Sequence, residues 1–160
     1  MKQVTFYILP DEQALHRQEI SEQIAQACTI AAFYYLQNRK VFIYTDNQQD
    51  AFSVDEYLWQ FDGDSFVPHN LLGEGPRYGT PVEISWQAPT HPRQILINLS
   101  AEVPKFAVNF QQIIDFVPFA EPLKIAARLR YSTYKKMGLT LSTQTVENEK
   151  TVESTNKTED

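Results

Sequence analysis

The chain has 160 residues, 42% of them hydrophobic and 12% aromatic, and a formal net charge of −6. This length and composition predict one folded domain with a single core. No apolar stretch is long enough to span a bilayer, and the N-terminal residues lack the pattern of a secretory signal. The one cysteine, Cys28, excludes an internal disulfide and fits a reducing compartment, so we expect a soluble, cytoplasmic protein.

The first half of the chain alternates between strand and helix patterns. Residues 4–9 and 40–45 are continuous β-branched and aromatic runs, as in buried parallel strands. Apolar residues repeat at helical spacing over residues 20–35, and Asp46 or Asn47 can cap a second helix that reaches about Trp59. This β-α-β-α order predicts an α/β fold with an open, mostly parallel sheet flanked by helices.

The second half adds more strands and a closing helix. An irregular stretch covers residues 62–81, and strand patterns follow at 82–86, 95–99 and 113–117, with a short turn or helix at 106–110 and a helix at 122–137. Residues 141–160 are mostly polar, with a net charge of −3. We therefore predict a single α/β domain over residues 1–140 and a disordered C-terminal tail over residues 141–160.

The last helix carries a cationic stripe made of Lys124, Arg128, Tyr131 and Lys135, at spacings of four, three and four. These residues fall within about 60° of the helix surface. The face predicted to be buried lies beside them and consists of Leu123, Ala126, Ala127, Tyr134 and Met137. The helix dipole accounts for Lys135 and Lys136 in the last turn, but not for Lys124 near the start. The stripe is either a solvated face or a docking site for an anionic group.

The candidates for catalysis are weak. Gly73, Gly75 and Gly79 resemble a dinucleotide-binding loop, but their spacing is wrong and a strand pattern follows them instead of a helix. His69 could act as a general base, although a structural loop histidine is the simpler interpretation. The three histidines are not spaced as zinc ligands, so we expect no metal and no cofactor. Cys28 lies on an apolar helix face, where a buried structural thiol is expected.

Trp59 and Phe66 flank the start of the irregular stretch. Such aromatic residues are usually part of a core. Large aromatic side chains also dominate the energetics of protein–protein interfaces, so a partner-binding patch is the alternative.

These segments together resemble the chi subunit of bacterial DNA polymerase III holoenzyme, collinearly from about Val4 to Leu139. The motifs that carry the resemblance are residues 65–71, 73–76, 81–84 and 115–118, Asp55, Glu56, Leu58 and Trp59, and Leu123, Lys124, Arg128, Arg130, Tyr131 and Tyr134. The resemblance implies a nucleotide-binding-like fold without a nucleotide site, and an accessory subunit of a DNA polymerase with no activity of its own.

The resemblance also implies two protein partners. The psi subunit, which connects chi to the clamp loader, would bind at Trp59 and Phe66. The C-terminal tail of the single-stranded-DNA-binding protein is an acidic peptide that ends in an aromatic residue. It would bind at Lys124, Arg128 and Tyr131, with Val117 and Pro118 as further pocket walls.

Three functional hypotheses follow. The first is a replication adaptor that contacts DNA only indirectly. The second is a nucleotide-binding enzyme that uses His69 and the glycines of residues 73–79, and the third is direct binding of single-stranded DNA by the stripe. Ser132 departs from the chi pattern, because chi proteins can carry a lysine there.

Overall fold

Strands and helices alternate over the first half of the chain, as the sequence predicts. The computed structural model describes residues 2–10, 22–60, 67–72 and 80–146. Within them the elements are β1 (Gln3–Ile8), α1 (Glu22–Leu36), β2 (Val41–Tyr44), α2 (Gln48–Gln60), β3 (His69–Leu71), β4 (Val82–Ser85), β5 (Ile95–Asn98), a 3-10 helix (Lys105–Asn109), β6 (Gln112–Val117), α3 (Glu121–Lys136) and β7 (Thr140–Thr145). No helix in these ranges is long and apolar enough to cross a membrane.

The seven strands form one sheet in the order β3-β4-β2-β5-β6-β1-β7, and every pair of neighbours is parallel. The predicted α/β class and parallel sheet are therefore confirmed. The five strands expected from apolar runs all occur within one residue of their predicted limits.

Both faces of the sheet are covered, which explains why its strands are continuously apolar. Val41 and Ile43 point to the face that α1 and α2 cover, whereas Phe42 points to the face that α3 and the 3-10 helix cover. Of the two residues predicted to cap α2, Asp46 and Asn47, it is Asn47 whose Oδ1 accepts a hydrogen bond of 2.8 Å from the Asp50 amide.

Two strands were not predicted. The three-residue strand β3 lies in the stretch expected to be irregular. Residues 141–145, predicted to belong to the disordered tail, form most of β7 and pair with β1. The boundary at residue 140 is wrong because backbone hydrogen bonds to β1 require no apolar side chains, and the side chains of β7 are largely exposed. Residues 147–160 lie outside the described part of the chain.

The buried face of α3 also differs from the prediction. Ala127 and Tyr134 are buried as expected, but Leu123 is 52% exposed and Arg130 is only 6% exposed. The first fully buried residue of α3 is thus Ala127, almost two turns into the helix. Arg130 is buried because a carboxylate of the sheet, Asp115 on β6, compensates its charge.

Asp115 is the centre of a buried polar network between α3 and the sheet. Its carboxylate, which is inaccessible to solvent, accepts hydrogen bonds from Arg130 Nε at 3.1 and 3.2 Å. The Tyr134 hydroxyl donates at 2.7 Å, the Asn98 side-chain amide at 3.2 Å, and the Phe116 backbone amide at 2.7 Å. Burial raises the pKa of Asp115, and Arg130 and the other donors oppose that rise.

Both terminal nitrogens of Arg130 also donate hydrogen bonds. Nη2 donates to the Phe116 carbonyl at 3.0 Å and Nη1 to the Ala101 carbonyl at 3.1 Å. Burial, followed by the Asp115 charge, raises the pKa of Tyr134, so its phenol stays a donor. Because these bonds are directional, they determine which side of α3 faces the sheet.

We expect Arg130→Met to destabilise the fold by about 3–5 kcal/mol, because it leaves the Asp115 charge buried and unpaired. Tyr134→Phe should cost about 1.5–3 kcal/mol, since one hydrogen bond to a charged group is lost. Urea unfolding followed by circular dichroism measures both. Arg128→Ala is the matched control and should change stability by no more than about 0.5 kcal/mol. An equal loss in the control would contradict the assignment of Arg130 as the buried arginine.

Candidate partner-binding sites

The cationic stripe lies along the border between the buried face of α3 and solvent. α3 contacts β6 and β7, so the stripe is near the β7 edge of the sheet. Lys124 is half-buried, Arg128 and Lys135 are exposed, and Tyr131 is 38% exposed. Lys135 and Lys136 occupy the last turn, where positive charge stabilises a helix. Lys124, Arg128 and Tyr131 therefore remain as the part that the helix dipole does not explain.

Tyr131 lies on the sheet and borders the surface between α3 and the carboxyl ends of β1 and β6, which we call the groove. The centroid of its ring is 5.4 Å from the ring centroid of Phe6 on β1. Phe6 pairs with Asp115, and two residues further along each strand Ile8 pairs with Val117. Because side chains alternate along a strand, Ile8 and Val117 point to the same face as Phe6 and Asp115. The groove thus runs from Tyr131 towards the carboxyl ends of β1 and β6, where Val117 and Pro118 are half-buried.

Lys124 closes the groove at the start of α3. Its Nζ lies 5.2 Å from the centre of the Phe119 ring and 3.6 Å from Glu121 Oε1. An exposed ion pair of this kind is worth at most about 1 kcal/mol, so an incoming carboxylate can displace Glu121. Arg128 is one turn further on and has no ion pair with any described residue. Its guanidinium is available for a bidentate contact.

This arrangement suits a ligand that combines a carboxylate with an apolar side chain. Lys124 and Arg128 supply the positive charge, and Tyr131, Val117 and Pro118 supply the apolar surface. The structure brings all five predicted residues to one region, the carboxyl end of β6 and the adjoining face of α3.

Two further residues belong to this groove and were not predicted. Ile8 is 37% exposed at the end of β1, and Phe119 is 51% exposed in the turn before α3. The alternation of Val4, Phe6 and Ile8 along β1 was a signal for Ile8. No sequence signal identified Phe119, because its exposure depends on how the turn leaves the sheet.

A second exposed aromatic residue, Trp59, is at the other edge of the sheet. It is 61% exposed near the end of α2. The centroid of its ring lies 4.9 Å from the ring centroid of His69 on the edge strand β3. His69 Nε2 is 3.3 Å from Asp55 Oδ1, and Nδ1 is 2.7 Å from the Val67 carbonyl. Phe66, predicted to share this surface with Trp59, lies outside the described residues.

The two surfaces are far apart. Four strand spacings separate β3 from β6, or about 19 Å. Moreover, α2 and α3 cover opposite faces of the sheet. Two partners bound at Trp59 and at the stripe would therefore not compete for the same surface.

The residues considered for catalysis are poorly placed for it. The His69 side chain has no solvent exposure, so it cannot reach a substrate as a general base without rearrangement. Cys28 is buried, and burial raises the pKa of its thiol, as expected of a structural cysteine. No cluster of metal-ligating side chains occurs in the part of the chain that is described. Gly73, Gly75 and Gly79 lie outside it.

Comparison with known sequences yields one family. The sequence model described as DNA polymerase III chi subunit, HolC, matches residues 1–142. DNA polymerase III subunit chi of Haemophilus influenzae is 44% identical over 147 residues, which is 91% of this chain and 98% of that protein. The subunit chi of Escherichia coli is 41% identical over 147 residues, covering 91% of this chain and 99% of the relative.

Among solved structures, the crystal structure of T4 UvsW superimposes with a TM-score of 0.61 at 9% sequence identity. The match covers 91% of this chain and 41% of UvsW. At this identity the likeness concerns the fold alone.

Proposed function

The chain belongs to the DNA polymerase III chi subunit family, and on this premise we propose that it is a non-catalytic adaptor in the cytoplasmic replication machinery. It would connect the clamp loader, through the psi subunit, to the acidic C-terminal tail of the single-stranded-DNA-binding protein. The observation that carries the proposal is that Lys124, Arg128 and Tyr131 share one side of α3, where Tyr131 packs against Phe6 of β1.

The groove fits the chemistry of an acidic peptide that ends in an aromatic residue. Arg128 can bind a carboxylate through two parallel hydrogen bonds, and Lys124 adds a second positive charge. The aromatic side chain of the peptide would rest against Tyr131, Val117 and Pro118. Because the charges are exposed, we expect a micromolar dissociation constant, about 8 kcal/mol of binding free energy. Added salt should weaken the binding.

The exposed Trp59 supports a second interface, with psi. Its ring is held against His69, so little side-chain freedom remains to be lost on binding. The opposite positions of Trp59 and the stripe support simultaneous binding of psi and the acidic tail, which an adaptor requires.

The other two hypotheses fit the molecule less well. The enzyme hypothesis needs His69 as an accessible base, yet its side chain is buried beside Trp59. Direct binding of single-stranded DNA calls for a basic groove that follows several phosphates. Here Glu121 adjoins the stripe, and the whole chain has a net charge of −6.

We expect Arg128→Ala to weaken binding of a fluorescein-labelled acidic peptide ending in phenylalanine by at least about tenfold, because one bidentate charged contact is lost. Fluorescence anisotropy measures the affinity. Lys136→Ala removes the same charge from another side of α3 and should leave the affinity within about twofold. Equal effects of the two substitutions would contradict the groove. A bare oligonucleotide that binds as tightly as the peptide would favour the DNA-binding hypothesis.

Ser132→Lys should strengthen peptide binding by roughly 1.5- to fivefold, the effect of one additional exposed charge one turn from Arg128. Thr133→Lys adds the same charge to the neighbouring exposed position, about 100° further around the helix. The anisotropy titration should show a larger gain for Ser132→Lys. If Thr133→Lys gave the same gain, net charge and not position would determine the affinity.

Trp59→Ala should reduce co-purification with psi at least about tenfold, as expected for a central aromatic residue of an interface. Peptide affinity should not change, because the groove lies at the other edge of the sheet. Phe33→Ala, at an exposed aromatic residue of α1, is the control and should keep psi bound. Loss of both partners in the Trp59 variant would contradict two separate surfaces.

A further inference from the structure

The segment after β7 is acidic and has no counterpart in the family match, which ends at residue 142. It contains five acidic residues and two lysines, a net charge of −3, so residues 1–146 share the other −3 of the total −6. The acidic residues are Glu147, Glu149, Glu153, Glu159 and Asp160, and the lysines are Lys150 and Lys157. Half of the net charge is thus concentrated in 14 residues.

The structure determines where this segment starts. The Val146 amide donates a hydrogen bond of 2.9 Å to the Ile8 carbonyl. Ile8 lies between Thr145 on β7 and Val117 on β6 in the sheet register. Two strand spacings, about 10 Å, therefore separate the end of β7 from Val117 in the groove.

The first acidic side chains can reach the groove from this anchor. An extended chain spans about 3.3 Å per residue, so Glu149 can lie up to about 10 Å beyond Val146. Glu149 would meet two positive charges there. Arg128 has no carboxylate partner among the described residues, and the ion pair of Lys124 with Glu121 is weak and exposed. The starting point of the segment, its reach and its negative charge therefore all suit binding to Lys124 and Arg128.

We propose that the segment 147–160 occupies the cationic groove of its own chain, through Glu147 and Glu149 at Lys124 and Arg128. It thereby competes with the acidic partner peptide. That the displaced ligand is the acidic partner peptide rests on the proposed function, whereas occupancy of the groove by the segment does not.

The size of the effect follows from tethering. A short tether gives an effective concentration in the millimolar range. If the segment binds the groove with a dissociation constant between about 0.3 and 1 mM, a millimolar effective concentration lowers the affinity for an external peptide by about two- to fourfold. The competition should decline as salt screens both interactions.

The test uses the full chain with Glu147→Gln and Glu149→Gln combined. Anisotropy titration with the labelled acidic peptide should show binding about two- to fourfold tighter than in the unaltered chain. The control combines Asp50→Asn and Glu56→Gln on α2, which change the net charge equally on the other face of the sheet. Equal tightening in the control would attribute the effect to overall charge and overturn the proposal.

A second measurement needs no partner peptide. In nitrogen–proton NMR spectra of the full chain, Glu147→Gln with Glu149→Gln should shift the Arg128 side-chain Nε–H signal and the Tyr131 amide. The α2 control should leave both signals unchanged. Absence of a shift in the tail variant would overturn occupancy of the groove. A shift without peptide binding by any variant would retain the occupancy and reject the proposed function.

Discussion

The ion pair between Asp115 and Arg130 is the interaction on which the geometry of α3 depends. The apolar contact of the helix with the sheet is small, since Ala127 and Tyr134 are its buried apolar residues. Apolar packing tolerates small rotations, but the hydrogen bonds of the Arg130 guanidinium are directional. By determining the rotation of α3 around its axis, this pair holds Arg128 in solvent and Tyr131 at the edge of the groove.

The same network occupies the edge of the sheet where related α/β folds bind nucleotides. In open parallel sheets, ligands bind at the carboxyl ends of the strands. Here Asn98, at the end of β5, donates to Asp115 and Tyr134 and accepts from Ser100. These polar groups are therefore used in internal hydrogen bonds. Fold likeness to UvsW consequently indicates architecture and not activity, since one fold can carry many functions.

The candidate groove was partly predictable. The spacing of Lys124, Arg128 and Tyr131 follows from helix geometry and needs no tertiary information. Helical spacing separated Arg128, on the stripe, from Arg130, but the sequence did not predict that Arg130 is buried, because that depends on the position of a carboxylate in the sheet. Ile8 and Phe119 were missed, since their exposure depends on how the turn before α3 leaves the sheet and on where α3 begins its contact with the sheet. Trp59 was identified, but its edge-to-face contact with His69 depends on the unpredicted strand β3.

The sequence by itself determined the order of the five apolar strands and of the helices, and it determined the parallel sheet, because buried strands and amphipathic helices have local periodicities. It also limited the cap of α2 to Asp46 or Asn47, and the structure selects Asn47. Tertiary structure alone decided that residues 141–145 join the sheet, since a polar strand is held by the backbone of β1 and not by its own side chains. It alone decided that Arg130 is buried, because burial of a charge requires a partner that lies 15 positions away in the chain.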